Sequence, residues 1–350
     1  MDIRGRILDT LKTRGALSGA QIAAVLGLSR QATHRHLVRL MDKGLLSRTG
    51  RTRGVEYHLP DRRGGPKTPA PEPFRKKYQI DGLMEDAVLA DVVLRLALRR
   101  SVSPAAYRIF AYAFTEMLNN AIEHSHSPIC TVEVTLAQRE LRAQIRDQGV
   151  GVFASVAERY RLAEEEAAIG ELLKGKATSM PERHAGEGIF FTSKACDRFA
   201  LRSHRVELVF DTRKKDTFMN VRTYLRGTEV SLSVSRSARR KLQDVFSAFA
   251  PEDFDFRFER SLVSVRFYTG EYVSRSEARR ILARLDTFRE VILDFSRVKS
   301  IGQGFADEIF RVFATAHPGV ALKRVNVAPG IEAVIRHVVD NGKQALLTID

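Results

Sequence analysis

Three short polar motifs follow one another between residues 78 and 234, and their order constrains the fold more than any other feature of the chain. An ExxxN pair falls in a helical pattern, a DxGxG motif follows a strand pattern, and a GxG motif opens another helical pattern. Alternating helices and strands around them predict an α/β domain whose site is assembled from separate segments. The motif residues are Glu116, Asn120, Asp147, Gly149, Gly151, Gly186 and Gly188.

The residue types at these positions suit the binding of ATP. The carboxamide of Asn120 fits Mg²⁺, which prefers oxygen ligands, and Glu116, one helical turn earlier, can polarise an attacking hydroxyl or water. Asp147, at a strand end, can accept a hydrogen bond from the exocyclic amine of adenine. Gly149 and Gly151 let the backbone pass close to the base and sugar. The sequence therefore predicts a site that selects adenine over guanine, with ATP and Mg²⁺ as cofactors.

The last glycines of the series predict a phosphate cradle. Gly186 and Gly188 would expose backbone N–H groups at the start of a helix, where phosphate oxygens are bound favourably. The structural alternative is a polar helix face, a turn-forming aspartate and ordinary turn glycines. The segment from Gly170 to Ala177 also approaches the P-loop pattern, but Ala177 replaces its Ser or Thr and no strand precedes it.

Taken together, the three motifs resemble those of the GHKL ATPases: gyrase-type, heat-shock chaperone, histidine kinase and mismatch-repair enzymes. The resemblance implies a Bergerat-type α/β sandwich over residues 78–236. The segment FTEMLNNAIEHS is most similar to the anti-sigma-factor serine kinases, which carry Glu as the first residue of this box. In the family, the threonine of a late Gly-Thr pair supports adenine through water, and Gly227-Thr228 stands at that position.

The same resemblance implies that residues 151–185 form a lid over ATP. Basic residues of this stretch are then candidates for contact with the γ-phosphate; they are Lys174, Lys176, Arg183 and His184.

The first 60 residues resemble a winged helix-turn-helix. Helical patterns end at Gly15, Gly27 and Gly44, Ser18 and Ser29 are suited to cap the second and third helices, and two short strands follow. The segment carries eleven basic and four acidic residues. Polar and basic side chains are expected to face outward from the third helix and the wing, and DNA binding is favoured over protein docking. They are Arg30, Gln31, Thr33, His34, Arg35, Arg48, Arg51 and Arg53.

A Pro- and Gly-rich linker is predicted over residues 61–77. Residues 237–350 follow as a basic helix and a small layered α/β domain, in which EVILDFSRVKSIGQGFADEIF resembles the STAS domain of anti-anti-sigma factors. In that family a serine near this turn accepts phosphate. Here Gln303 stands near that position, so a domain that senses nucleotide state is favoured over phosphorylation at Ser296 or Ser300.

Composition limits the remaining choices. The 350 residues carry a formal net charge of +15, which favours contact with a polyanion such as DNA. Neither a secretory signal nor a membrane span is predicted, so a cytoplasmic protein is expected. Cys130 and Cys196 are too few for a disulfide framework. By resemblance, both the ATPase and winged-helix types often work as homodimers, and the STAS-like domain is expected to engage a protein partner.

Three functions are compatible with these features. The first is a DNA-binding transcription regulator that binds and hydrolyses ATP and couples nucleotide state to its STAS-like domain. The second is a serine/threonine protein kinase of the anti-sigma-factor kinase type. The third, a nucleotide-binding scaffold without turnover, is disfavoured by Glu116, because binding alone has little need of a base.

Overall fold

The computed structural model describes residues 3–42, 45–49, 55–59, 71–162, 165–176, 187–255, 257–268 and 270–346. The chain divides into two compact units, Met1–Ala70 and Pro71–Asp350. No helix among the described residues is both long and apolar enough to cross a membrane.

The amino-terminal unit is a small helical domain with a three-stranded antiparallel sheet in the order β1-β3-β2. Ile7, Ile22 and Leu37 lie in its core. The predicted cap of the second helix is confirmed, because the Ser18 side chain accepts from the backbone of Gln21 and the Gln21 side chain accepts from that of Ser18. Its elements are α1 (Ile3–Arg14), β1 (Leu17–Ser18), α2 (Gly19–Leu26), α3 (Arg30–Asp42), β2 (Ser47–Thr49) and β3 (Glu56–His58).

The central part of the second unit is an antiparallel sheet covered by helices. Its five strands lie in the order β4-β5-β6-β8-β7. The long helix Pro104–His124 is buried along one side, from Ala106 to Ala121. The elements are β4 (Phe74–Gln79), α4 (Glu85–Arg95), α5 (Leu98–Ser101), α6 (Pro104–His124), β5 (Ile129–Leu136), β6 (Glu140–Asp147), α7 (Val152–Tyr160), α8 (Glu165–Lys174), α9 (Gly188–Ala195), β7 (Arg198–Asp211) and β8 (Asp216–Ser235).

Two features of this sheet differ from the sequence prediction. The linker was expected to reach Lys77, but β4 begins at Phe74, whose ring is buried. The charged residues that follow Phe74 are typical of an edge strand, and they concealed the strand in the sequence. In the sequence, the segments FALRSH, VELVF, FMNVRTYL and TEVSLSV after α9 each have the pattern of a separate strand, whereas the chain forms one long hairpin of β7 and β8. A β-bulge near His204 interrupts the pairing without ending the strand, which is why two strands were expected in place of β7.

The carboxy-terminal part is the small α/β domain expected from the sequence, with a parallel sheet in the order β11-β10-β9. A π-helical turn, residues 308–313, continues the helix that follows β10. The elements are α10 (Leu242–Phe249), β9 (Arg260–Ser264), α11 (Arg275–Leu282), β10 (Glu290–Asp294), α12 (Gln303–Asp307), α13 (Ala314–Ala316), β11 (Ala321–Val325) and α14 (Pro329–Leu346).

Aromatic side chains join the central and carboxy-terminal parts into one core. The ring of Phe258 lies 4.7 Å from that of Phe190 on α9 and 5.5 Å from that of Phe288. Phe249 of α10 packs edge-on against Phe190 at 4.9 Å. The helix that carries the GxG motif is therefore anchored directly in the carboxy-terminal domain.

Candidate nucleotide-binding site

Asp147 is the last residue of β6 and only 3% of it is exposed. Its Oδ1 accepts hydrogen bonds from the backbone N–H of Gly149 at 2.9 Å and of Thr228 at 3.1 Å. Burial raises the pKa of this carboxyl, and the backbone hydrogen bonds oppose that rise. Both hydrogen bonds end on Oδ1, which leaves Oδ2 as the candidate acceptor for an amine such as that of adenine.

The loop after Asp147 can be built only with glycine at position 149. A Cβ at Gly149 would lie 1.7 Å from the carbonyl oxygen of Ser125, the residue that ends α6. The next residue, Val150, donates its N–H to that same oxygen at 2.9 Å. The DxGxG loop is thus fastened to the end of the helix that carries Glu116 and Asn120.

Gly227 and Thr228 lie beside this loop, as expected for the late Gly-Thr pair. Gly227 has a φ of +80°, and a Cβ there would lie 2.5 Å from the carbonyl oxygen of Asp147. The Oγ1 of Thr228 accepts from the N–H of Val152 at 3.0 Å. Gly151 also has a positive φ, +88°, and is the N-cap residue just before α7. These contacts bring the two separate motifs into one hydrogen-bonded group.

On the phosphate side, Glu116 and Gly188 lie in contact. Gly188 is the first residue of α9, and a Cβ there would lie 2.2 Å from Oε2 of Glu116. The carboxylate therefore faces the start of the helix that the sequence predicts to hold phosphates. Gly186, the other glycine of that predicted cradle, lies outside the described residues, as does Arg183.

Asn120 lies one turn after Glu116 on α6 and is half-buried. Its Nδ2 approaches the Met117 sulfur at 3.9 Å, and no described group donates to its Oδ1. No three His, Cys, Asp or Glu side chains in the described ranges cluster as a metal site. If the start of α9 holds phosphates, as the sequence predicts, the amide oxygen of Asn120 would suit Mg²⁺, which keeps several waters and takes few protein ligands.

Glu187, just before α9, adds negative charge at this end of the site. Burial raises its pKa, the charge of Lys176 lowers it, and that of Glu259 raises it. Burial first, and then the charges of Glu116 and Glu187, raise the pKa of Tyr112 on α6. The carboxylates of Glu116 and Glu187 therefore both lie at the start of α9, where the sequence predicts that phosphates bind.

Lys176 is engaged with the carboxy-terminal domain. Its Nζ donates to the carbonyl of Thr287 at 3.0 Å, lies 3.6 Å from a carboxylate oxygen of Glu259 and stands 4.4 Å from the centre of the Phe288 ring. Contact with a γ-phosphate, as expected from the lid resemblance, would require Lys176 to leave these partners. That role remains a prediction.

Several residues of the site carry no motif that sequence reasoning could recognise. The backbone carbonyl of Ser125 packs against Gly149. The hydroxyl of Ser203 donates to the carbonyl of Gly227 at 3.0 Å. His204 sits on the β-bulge with a φ of +50°, and its Nε2 lies 2.9 Å from the Cβ position of Gly151. A histidine at a strand interruption is the one local signal that could have pointed to it.

In the amino-terminal unit, most of the predicted DNA-facing residues are at the surface. Arg30, Gln31, His34 and Arg35 are exposed along the first half of α3, and Arg48 is exposed on β2.

The outward position expected for Thr33 is wrong. Only 1% of this residue is exposed, and its hydroxyl donates to the carbonyl of Ser29. It occupies the inner face of α3 because it lies four residues before Leu37, which is in the core. Arg51 and Arg53 of the wing lie outside the described residues.

Three family models match the chain. They are the MarR family over residues 2–54, the histidine kinase-like ATPase domain over residues 86–210, and a STAS-like domain of unknown function (DUF4325) over residues 277–331. This chain carries a winged helix, a histidine kinase-like ATPase domain and a STAS-like domain, in that order. The recognition and the fold class expected from the sequence are thereby confirmed.

Comparison with whole proteins adds little. No curated protein matches the chain. A solved structure titled as the crystal structure of the Thermotoga maritima IclR is 14% identical and covers 81% of this chain and 96% of that one. Its TM-score is 0.14, so nothing about the fold follows from it.

Proposed function

We propose that this protein is a cytoplasmic transcription regulator that binds and hydrolyses ATP, binds DNA through its winged helix and couples its nucleotide state to its STAS-like domain. The observation that carries the proposal is the buried Asp147 carboxylate. Its Oδ1 is held by the backbone N–H groups of Gly149 and Thr228, and neither of these bonds uses Oδ2. A fixed acceptor at a strand end is what recognition of the adenine amine requires.

The residues of α6 would act at the phosphate end. Asn120 would help to hold Mg²⁺, which supplies positive charge to offset that of the phosphates. Glu116, beside the start of α9, would accept a proton from the attacking water. Gly188 would offer its backbone to a phosphate oxygen at the helix start.

The experiment that tests this activity uses γ-labelled ATP with Mg²⁺ and follows free phosphate and protein-bound label in the same samples. Glu116→Ala and Asn120→Ala are expected to abolish release of phosphate. Asn119→Ala is the matched control, because Asn119 is the same residue type one position away on α6. Equal turnover in all four proteins would reject the assigned site.

A serine/threonine protein kinase is the second candidate, and the position of Glu116 favours it equally, because a carboxylate that activates water can also activate a serine hydroxyl. The same assay separates the two functions. Label retained on this protein or on an added partner, lost in Glu116→Ala, would make the kinase function primary. Free phosphate without retained label would support the ATPase.

DNA binding is proposed from the exposed basic and polar residues of α3 and β2. Arg30→Ala and Arg35→Ala are expected to weaken binding to duplex DNA. Each lost phosphate contact should lower the slope of log affinity against log salt by about 1. Arg14→Ala is the control, since it removes the same charge from the exposed end of α1. Equal losses in all three variants would indicate only nonspecific attraction.

Gel filtration, which measures the size of the protein in solution, would test the homodimer expected from the family resemblance.

A further inference from the structure

The end of α8 is inserted into the STAS-like domain. Lys174, the last residue of α8, is only 1% exposed. Its Nζ donates to the carbonyl of Ala283, the residue just after α11, at 2.8 Å and to that of Arg280 in the last turn of α11 at 3.4 Å. The last carbonyls of a helix have no partners within that helix. A lysine of the ATPase domain therefore supplies part of the cap of α11 in the STAS-like domain.

A second buried charge joins the same two domains. Glu171 of α8 is 5% exposed and accepts from Nζ of Lys174 at 2.8 Å and from the guanidinium of Arg284. That guanidinium also lies over the ring of Tyr160 on α7, 3.5 Å from its centre. Buried charges are stable only when all partners are in place, so this group favours one docked arrangement.

Two hydroxyl groups of the STAS-like domain also donate hydrogen bonds to the backbone of α8. The hydroxyl of Tyr268 donates to the carbonyl of Gly170 at 2.9 Å, and a Cβ at Gly170 would lie 2.6 Å from the Tyr268 ring. The hydroxyl of Ser261 on β9 donates to the carbonyl of Lys174 at 2.6 Å. Close approach of this kind depends on a glycine at position 170.

The opposite end of α8 reaches the adenine side of the nucleotide site. Glu165, its first residue, lies with Oε1 2.8 Å from Nδ1 of His204. The His204 ring stacks on Tyr224 at 5.2 Å and lies against Gly151 of the DxGxG motif. A single ten-residue helix thus joins the loop beside the adenine site to the STAS-like domain.

Lys176, two residues beyond α8, interacts with the carboxylates of Glu259 and Glu187. Its present partners are the carbonyl of Thr287 and the carboxylate of Glu259. Its charge also lowers the pKa of Glu187, which lies at the start of α9, so Lys176 is within electrostatic reach of the phosphate side. Phosphates placed there would attract Lys176 and would be repelled by Glu187 and Glu259.

We propose that the docking of α8 into the STAS-like domain is a lock that opposes ATP. While α8 is docked, Lys176 is held by the STAS-like domain, and ATP binds better to the arrangement in which Lys176 is released. This rests on the proposed ATP-binding function. Because coupling is reciprocal, any partner that pulls the STAS-like domain away from α8 would raise ATP affinity to the same degree that ATP loosens the docking.

The test measures amide hydrogen exchange and the affinity of a fluorescent ATP analogue on the full chain. Saturating ATP and Mg²⁺ should increase exchange at residues 165–176 and decrease it at residues 147–152. Tyr268→Phe and Arg284→Met, which loosen the lock from the STAS-like side, should bind the analogue about tenfold more tightly. Arg311→Met is the control, since it breaks an ion pair with Asp307 in the same domain away from α8.

The outcomes separate the two proposals. If the unmodified chain binds the analogue but the lock variants bind it no more tightly while α8 exchanges faster, the lock is rejected and the ATP function stands. If the unmodified chain binds no nucleotide, both fall together. Should Arg284→Met fail to fold, Tyr268→Phe removes only one hydroxyl, and the comparison with and without ATP on the unmodified chain needs no variant.

Discussion

The two ends of the candidate nucleotide site are built in different ways. On the adenine side, Asp147 and Thr228 are joined through backbone hydrogen bonds, and Gly149 packs directly on a backbone carbonyl. On the phosphate side, Gly188 meets the far end of a flexible carboxylate, and Lys176 is bonded to another domain. Backbone contacts fix one geometry, whereas long side chains can exchange partners. We infer that base selection is preformed and that phosphate binding is the step open to control.

The largest effect is expected from replacing Gly149 on the adenine side, compared with Gly188 on the phosphate side. Gly149→Ala places a Cβ against the carbonyl oxygen of Ser125, so the backbone must move, and we expect a loss of about 3 kcal/mol in the free energy of unfolding. Gly188→Ala meets only the carboxylate of Glu116, which can rotate away, and should cost about 1 kcal/mol or less. Urea denaturation of both variants measures the difference. Equal losses would mean that the two ends are equally rigid.

Asp147→Asn tests base recognition without disturbing the loop. The amide oxygen can still accept from Gly149 and Thr228, but the group facing the ligand becomes a donor. We expect ATP affinity to fall about 30- to 100-fold, which corresponds to about 2 to 3 kcal/mol. Titration with a fluorescent ATP analogue measures it. An affinity within twofold of the unmodified protein would contradict the role of Asp147.

The same substitution predicts a pH effect on stability. Burial raises the pKa of Asp147 in the folded protein above its usual value of 3.8. A carboxyl whose pKa is raised by folding stabilises the folded protein at pH values below its pKa in the unfolded chain. That contribution is lost as pH rises through its pKa in the folded protein. Asp147→Asn should therefore be at least as stable as the unmodified protein at pH 7, and any advantage should shrink below about pH 4. A greater advantage in acid would oppose this assignment.

Lys174, the last residue of α8, and Lys176, two residues beyond it, should differ in their effect on stability. Lys174→Met removes the buried partner of Glu171 and of the Ala283 carbonyl, so we expect a loss of about 2 kcal/mol. Lys176→Met removes a partly exposed ion pair and should change stability by about 0.5 kcal/mol or less. Thermal unfolding compares them. A reversed order would mean that the docked end of α8 is not as described.

The smallest difference between two paired variants is expected at Thr228. Thr228→Val leaves the N–H of Val152 without its acceptor and should cost about 1 kcal/mol, whereas Thr228→Ser keeps the hydroxyl and should cost less. Chemical denaturation of the pair checks this. An equal loss in Thr228→Ser, which keeps the hydroxyl, would contradict a stabilising role for the hydrogen bond to Val152.

The sequence predicted the order of domains and the elements that carry the motifs, because helical and strand periodicities are local properties. The capping box at Ser18 and the strand that ends at Asp147 are examples. The continuous β7 was missed because a bulge at His204 resembles a strand end. The inward position of Thr33 was missed because a small polar residue gives no signal of the face it occupies.

The contacts between domains could not be predicted from the sequence. Lys174 and Arg284 are more than one hundred residues apart along the chain, and their meeting at Glu171 depends on how two finished domains pack. A lysine in a stretch that resembles a lid suggests phosphate as its partner. The structure gives Lys174 a buried helix end instead, because the carbonyls of α11 need donors.

The position of β4 has a mechanical consequence. It is the outer strand of the ATPase sheet, and it is the first element of the second unit. An outer strand can be peeled away one hydrogen bond at a time, so a pull on the chain before Phe74 would displace β4 before any inner strand. Tyr78 of β4 lies opposite Cys130, and Cys130 lies opposite Asp147. Tension arriving from the amino-terminal side would therefore act two strands away from Asp147, the residue proposed to select the base.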